Sequence, residues 1–268
     1  PPEPPDITEM EFDAEVMTQD LPAPPTDFSP QPVDFDAVAI VKSPIIMRGI
    51  YGSRNPGQRG SLLGRHGAPA GTELAVLRAL RWLKKYQNSD GSWQGTEGGS
   101  PAGSVKAPPA MTGLGLLTFL AHGDTPASEE FGETVEKAIR WLVENQQKDG
   151  RFNGRDGHDY SHPIAAYAVC EAYGMTKVPI LKGVAEKATA VIVNGCNPNG
   201  GWNYNCDKSG RNDTSYSAWC AQALKAAKMS GIENKGLKKA LACGVKGFRA
   251  NAKEYGGFGY TSPGATRL

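Results

Sequence analysis

One phrase recurs four times along this chain, with drift, and it limits the possible folds more than any other feature. The first copy is Ala79-Leu-Arg-Trp-Leu-Lys-Lys-Tyr-Gln87-Asn-Ser-Asp90-Gly91-Ser-Trp93, and the second is Ala138-Ile-Arg-Trp-Leu-Val-Glu-Asn-Gln146-Gln-Lys-Asp149-Gly150-Arg-Phe152. A third copy keeps Ala188-Thr-Ala-Val-Ile-Val-Asn194 and Asn199-Gly-Gly-Trp202, and a fourth keeps Gly247-Phe-Arg-Ala-Asn251 and Gly256-Gly-Phe258-Gly-Tyr260. The closing aromatic returns after 59, 50 and 56 residues. A period this long, holding a helix, a glycine turn and a second apolar helix, describes a stack of α-hairpins.

Helical spacing begins at Thr72, where Leu74, Leu77, Leu80 and Leu83 recur with Val76 and Trp82. Further helices are expected over about 109–121, 129–147, 161–174, 179–194, 213–229 and 236–252, with Thr72, Ser128 and Asp213 as N-caps. Every second helix, as in Met111-Thr-Gly-Leu-Gly-Leu-Leu and Pro163-Ile-Ala-Ala-Tyr-Ala-Val-Cys, is rich in Ala and Gly and nearly free of charge. Such helices suit an inner layer packed side by side, and the charged ones suit an outer layer.

Charge divides the chain. Residues 1–41 hold ten acids and no Lys or Arg, and 28 acids less these ten leaves 18 against 29 bases, near +11, in the remainder. Residues 1–47 read as an acidic, Pro-rich extended arm or linker, with a short β-branched run at 37–41. Residues 48–71 are crowded with Gly and Arg and read as irregular; 72–268 form the repeat domain. The arm is expected to dock on the basic body or on a neighbouring molecule. Bases spread along outer faces, not clustered, argue against nucleic acid. No run of 18 apolar residues offers a membrane span. The opening Pro-Pro-Glu-Pro-Pro is no signal peptide, so an export signal or anchor further upstream is the expectation, with an extracytoplasmic location. Of five cysteines, Cys196 and Cys206 flank the Gly-Gly-Trp turn and are the pair placed to close a loop disulfide in an oxidising compartment.

Gln87-x-x-Asp90-Gly-x-Trp93 resembles the Gln–Trp repeat of squalene cyclases. Ala165-Ala-Tyr-Ala-Val-Cys-Glu-Ala-Tyr-Gly-Met-Thr176, Gly200-Gly-Trp-Asn-Tyr204 and Asp213-Thr-Ser resemble, more narrowly, bacterial prenyltransferase/squalene oxidase repeat proteins. The resemblance covers about residues 72–262. It implies an all-α fold, an α/α toroid that is partial here, with about three and a half hairpins behind an extended N-terminal arm. A closed toroid of that family takes six or seven hairpins, so a repeat domain truncated at its C-terminus is expected. The signatures of its known chemistries are absent: no Asp-x-Asp-Asp acid of terpene cyclases, no Asp-x-Cys zinc pair of prenyltransferases, no Cys-Gly-Glu-Gln thioester.

The glycine turns gather on one face, where an acid/base set of Asp159, His162 and Asp213 would sit. Both carboxylates are read first as helix N-caps. Ligand contacts on that face fall to Trp93, Arg155, Tyr160, Trp202, Tyr204, Arg211, Tyr216 and Tyr260. Trp93, Phe152, Trp202 and Phe258 are nevertheless read first as core pins between hairpins, ahead of stacking on a sugar or isoprenoid. His158 and His162 lack a third firm ligand, so neither metal nor cofactor is expected. A non-catalytic, extracytoplasmic binding or scaffold module with an unknown ligand or protein partner on the turn face is the reading the residues favour. The alternative is a polysaccharide- or lipid-acting enzyme, lyase or cyclase-like, using the same face; a terpene cyclase proper would need an aromatic inner cavity, which the Ala-rich helices do not supply.

Overall fold

The computed structural model describes residues 49–69, 71–94, 107–153 and 160–265, and every structural statement below concerns these. The arm 1–47, the 37–41 run, Arg155, His158 and Asp159 lie outside the described residues. Helix α1 spans Pro56–Arg65, α2 Thr72–Lys85, α3 Pro108–His122, α4 Gly132–Glu144, α5 Ser161–Thr176, α6 Pro179–Asn194, α7 Thr214–Ser230 and α8 Leu237–Asn251. Two 3-10 turns, Gly49–Arg54 and Tyr204–Cys206, complete the list. Among the described residues the only β-type pairing is the isolated bridge Ala252–Phe258. No described helix is long and apolar enough to cross a membrane.

The all-α architecture is a stack of hairpins: α2–α3, α4–α5 and α6–α7 are complete and α8 opens a fourth. Inner helix α5 lies between inner helices α3 and α7. Small residues permit this closeness: a Cβ on Gly113 would stand 3.2 Å from the Ala165 backbone. Outer helices α4 and α6 turn their charged faces away and seat Val135, Ile139, Leu142, Leu181 and Ile192, all essentially inaccessible, against the inner layer. Burial of each such side chain is worth about 1.5–3 kcal/mol.

The turns repeat one hydrogen-bonding scheme. In the first, the Trp93 N–H donates to Thr112 Oγ1 (3.1 Å) on the next inner helix. In the second, Phe152 N–H donates to His162 Nδ1 (3.2 Å), and in the third Trp202 N–H donates to Ser217 Oγ (2.8 Å). The indoles of Trp93 and Trp202 also donate to Leu83 O and Ile192 O near the ends of their own outer helices. Gly91, Gly150 and Gly200 have φ of 93°, 87° and 102°. The following outer helix presses its backbone on each of them, and a Cβ on Gly150 would lie 2.6 Å from Lys187 O. Glycine is thus required twice over, by dihedral and by contact.

Three local expectations need correction. The segment expected to be irregular over 48–71 is largely helical at 49–65: the 3-10 turn Gly49–Arg54 is followed by α1, which Pro56 starts at a position needing no amide donor. The turn is held by Tyr51, buried against Gly174, and by Arg54 Nη1, 2.7 Å from Glu171 Oε2 on α5. Thr72 is the first residue of α2 rather than its cap, which is Gly71. Ser128 accepts from Thr125 N–H in a local turn, and α4 begins only at Gly132 after Phe131. Asp213 does cap its helix, accepting from Tyr216 N–H.

Candidate functional site

At the third turn the chain assembles a cluster from four separate places. Asp213 caps α7, Ser215 and Tyr216 form its first turn, Tyr204 sits in the short 3-10 turn after Trp202, and Tyr260 follows α8. Tyr160, just ahead of α5, closes the group. Backbone bonds fix these places: Asp213 N–H donates to Trp202 O (2.9 Å) and Thr214 N–H to Tyr260 O (2.9 Å). The rings of Tyr160, Tyr204 and Tyr216 meet edge to face, with centroids 5.7–5.8 Å apart.

Tyr160 and Ser215 share a hydroxyl bond of 2.7 Å, and the Tyr204 and Tyr260 hydroxyls bond to each other. Burial, then the bonds with Tyr260 and Tyr160, push the Tyr204 phenol well above its ordinary range, so it is neutral. The Arg211 guanidinium lies over Tyr204 (5.2 Å) and Tyr260 (5.5 Å), and its Nη1 donates to Asn203 Oδ1 (3.1 Å). This is a cation resting on two aromatic faces. Its Nη2 stands 3.6 Å from Asp213 Oδ2, with Arg211 41% exposed and Asp213 sealed. Oδ1 of Asp213 accepts from Ser215 Oγ (2.7 Å) and Tyr216 N–H (2.9 Å). Burial raises the Asp213 pKa, but hydrogen bonds from Tyr260, the Tyr216 amide, Ser215 and Tyr204 outweigh it and hold it below the usual carboxylate range. Asp213 is therefore an anion bound into a helix cap, with no proton to give near neutral pH.

His162 is elsewhere. It is buried beneath the second turn, where Nδ1 accepts from Phe152 N–H and Nε2 donates to Ala188 O (3.1 Å). Burial, and secondarily the Arg151 charge, lower its pKa to about 4, so the ring is neutral and both nitrogens are occupied. Trp93, Trp202 and Tyr216 are 3% exposed or less and are core, so they offer no face to a ligand. Phe152 shares that burial, but Phe258 is 55% exposed, since no described helix covers the fourth turn. Of the expected contact residues, then, Tyr160, Tyr204, Arg211 and Tyr260 converge with solvent access, and Asp213 and Tyr216 converge beneath them.

The expected Cys196–Cys206 bridge is not formed. Cys196 pairs with Cys243 of α8 (Cα–Cα 6.7 Å), and Cys206 is a buried free thiol. Cys206 packs its Cβ on Gly195, and its sulfur lies 3.4 Å from Tyr216 Oη. Sequence reading also missed Ser215 and Asn203, which orient the hydroxyls and the guanidinium, and Glu171, whose signal was being the lone charge on an inner helix. Among the described residues no three His, Cys, Asp or Glu side chains are grouped to hold a metal. Two open grooves of about 740 and 710 Å³ lie on outer helices, one along α4 with Asp90 and the other along α8 with Cys196 and Cys243. Neither includes the tyrosine cluster.

Residues 63–153 match the squalene-hopene cyclase C-terminal domain family. The chain is 33% identical over 85 residues to the squalene–hopene cyclase of Zymomonas mobilis subsp. mobilis, covering 29% of this chain and 12% of that protein. It is 28% identical over 113 residues to enfumafungin synthase efuA of Hormonema carpetanum, covering 40% of this chain and 8% of that protein. The chain thus spans about a tenth of the length of the curated relatives it matches. The match, the hairpin stack and the Gln–Trp turns together support a terpenoid cyclase-like α/α-toroid protein.

Proposed function

We propose that this squalene cyclase-like domain is a binding module and not a catalyst, and that Tyr160, Tyr204, Arg211 and Tyr260 make its ligand contacts on the turn face. The observation that carries the reading is the occupation of the acid/base candidates. Asp213 is an ionised cap and His162 a neutral ring with both nitrogens bonded, so neither is poised for proton transfer. What faces solvent is a recognition surface: phenol hydroxyls, ring edges and a guanidinium already oriented by Asn203. Such a surface suits an anionic saccharide, whose ring faces stack on tyrosine and whose carboxylate pairs with arginine. An extracytoplasmic location belongs to the same proposal, supported by the Cys196–Cys243 pairing, which persists in oxidising compartments.

The test is calorimetric titration of the full chain with uronate oligosaccharides, beside incubation with squalene and product analysis by gas chromatography. Saturable binding that weakens at least tenfold in Arg211→Ala, with no cyclised product, supports the module. Product formation, or uronate chain cleavage lost in Asp213→Asn, would establish an enzyme and overturn it.

A further inference from the structure

Six residues before each closing aromatic, the four turns carry Gln87, Gln146, Cys196 and Ala252. The two glutamines act identically. Gln87 Nε2 donates to Gly91 O (3.0 Å) within its turn and to Thr134 O (2.9 Å) on the next outer helix. Gln146 Nε2 donates to Gly150 O (3.2 Å) and to Val184 O (2.9 Å). Each is a clamp from a turn to the helix that covers it. Thr134 and Val184 stand three residues before Lys137 and Lys187, whose carbonyls press on Gly91 and Gly150. At the third turn, Gly200 meets the Lys246–Gly247 backbone, and three residues before Lys246 is Cys243. Cys243 is the residue bonded to Cys196. The disulfide therefore stands in the glutamine clamp's place, at the same register on both partners.

Its surroundings differ from those of the glutamines. Cys196 and Cys243 are half-buried and line the open groove of about 710 Å³, together with Lys208, Lys235, Lys239 and Lys246. No carboxylate lines that groove, whereas the groove along α4 balances Lys137 and Arg140 with Glu133 and Glu136 in ion pairs. The other three cysteines are buried and free. A thiol reagent thus reaches one disulfide through a basic mouth, where neighbouring cations favour the thiolate forms that exchange requires.

We propose that Cys196–Cys243 is a reversible redox joint: a covalent clamp, opened by thiol–disulfide exchange with an external dithiol, that controls how firmly α8 is held on the third turn. The dithiol attacks one sulfur as thiolate and forms a mixed disulfide, releasing the other cysteine as a thiolate that takes up a proton. Its second thiol then closes the reagent's own disulfide, so two electrons pass to the protein and both cysteines end as thiols. With no amide at position 196 the side-chain tie is lost, and the backbone bond from Gly201 N–H to Cys243 O (3.1 Å) is left to hold the turn on α8.

The experiment maps the disulfide in the full chain by non-reducing peptide mass spectrometry and compares thermal melting with and without a phosphine reductant. Wild type is expected to show the 196–243 crosslink and to melt on the order of 5–10 °C lower once reduced. Cys196→Ser should match reduced wild type and ignore reductant. Cys196→Gln, which rebuilds the clamp of the first two turns, should also ignore reductant but melt above Cys196→Ser. Five free thiols in the air-oxidised protein, a crosslink to Cys206, melting indifferent to reduction, or Cys196→Gln melting with Cys196→Ser would each overturn the proposal.

Discussion

Replacing His162 by threonine tests whether this histidine is a structural acceptor, because the fold already uses threonine for the same task. Thr112 Oγ1 receives the Trp93 amide as His162 Nδ1 receives that of Phe152. His162→Thr keeps an acceptor, removes the only titrating group at the position, and leaves a void where the ring was. Near pH 7 the variant should be less stable by about 2–3 kcal/mol, from the void and from the lost donor to Ala188 O. Acid then separates the two proteins. The wild-type ring has a pKa of about 4 in the folded state and about 6.5 unfolded. A depressed folded value means the unfolded chain takes up the proton first, so stability is full above pH 6.5 and is lost as pH falls toward 4. At about 1.4 kcal/mol per unit, that window costs wild type about 3 kcal/mol, and the variant nothing from this site. Urea unfolding followed by tryptophan fluorescence at pH 7, 6, 5 and 4 should show the curves converging, with the gap closed to within about 1 kcal/mol at pH 4. Other carboxylates titrate equally in both proteins and cancel in the difference. Parallel loss of stability in the two proteins across the window would refute a neutral, bonded His162.

Asp213→Ala should cost about 2 kcal/mol in urea unfolding, since the cap bonds to Tyr216 N–H and Ser215 Oγ are lost beside an unpaired Arg211. Asp213→Asn should keep roughly half of that, because an amide oxygen still caps. Gly150→Ala should destabilise by about 3 kcal/mol or more through the clash with Lys187 O at positive φ, as read by thermal melting. Gly210→Ala, at φ 84° in open space, should cost only about 1 kcal/mol; equal losses would refute the contact argument. Gln146→Ala should cost about 1–2 kcal/mol and speed amide exchange at the start of α6, where Val184 O loses its donor.

The hairpin stack was legible because its cause is local and repeated. Closing aromatics at 93, 152 and 202, glycines two residues before them and Ala-rich partner helices each dictate one contact, and the contacts recur. Caps were harder. Ser128 has the right chemistry for a cap, but Phe131 is drawn into the core and delays α4 to Gly132. Around the third turn the residue types marked the cluster correctly while leaving depth open. Tyr204 and Tyr216 look alike in sequence, yet Tyr216, on the first turn of α7, faces the core and Tyr204 the surface.

The cysteines show where a reading by proximity fails and one by register succeeds. Cys206 is ten residues from Cys196 and seemed its natural partner, whereas Cys243 lies 47 residues away on a helix. Sequence distance is the wrong measure in a stack of hairpins, because each turn is covered by the outer helix of the next repeat, some fifty residues on. The repeat itself held the information. Cys196 stands where two earlier turns place glutamine, and the glutamines reach a fixed point on that covering helix. Transferring that point to the third repeat arrives at Cys243 without any appeal to loop closure. The same register explains the fourth turn, where the clamp position is Ala252 and a Cβ on Gly256 would meet nothing within 4 Å. Among the described residues no helix covers that turn, and Phe258 has Phe248 as its aromatic neighbour (5.8 Å).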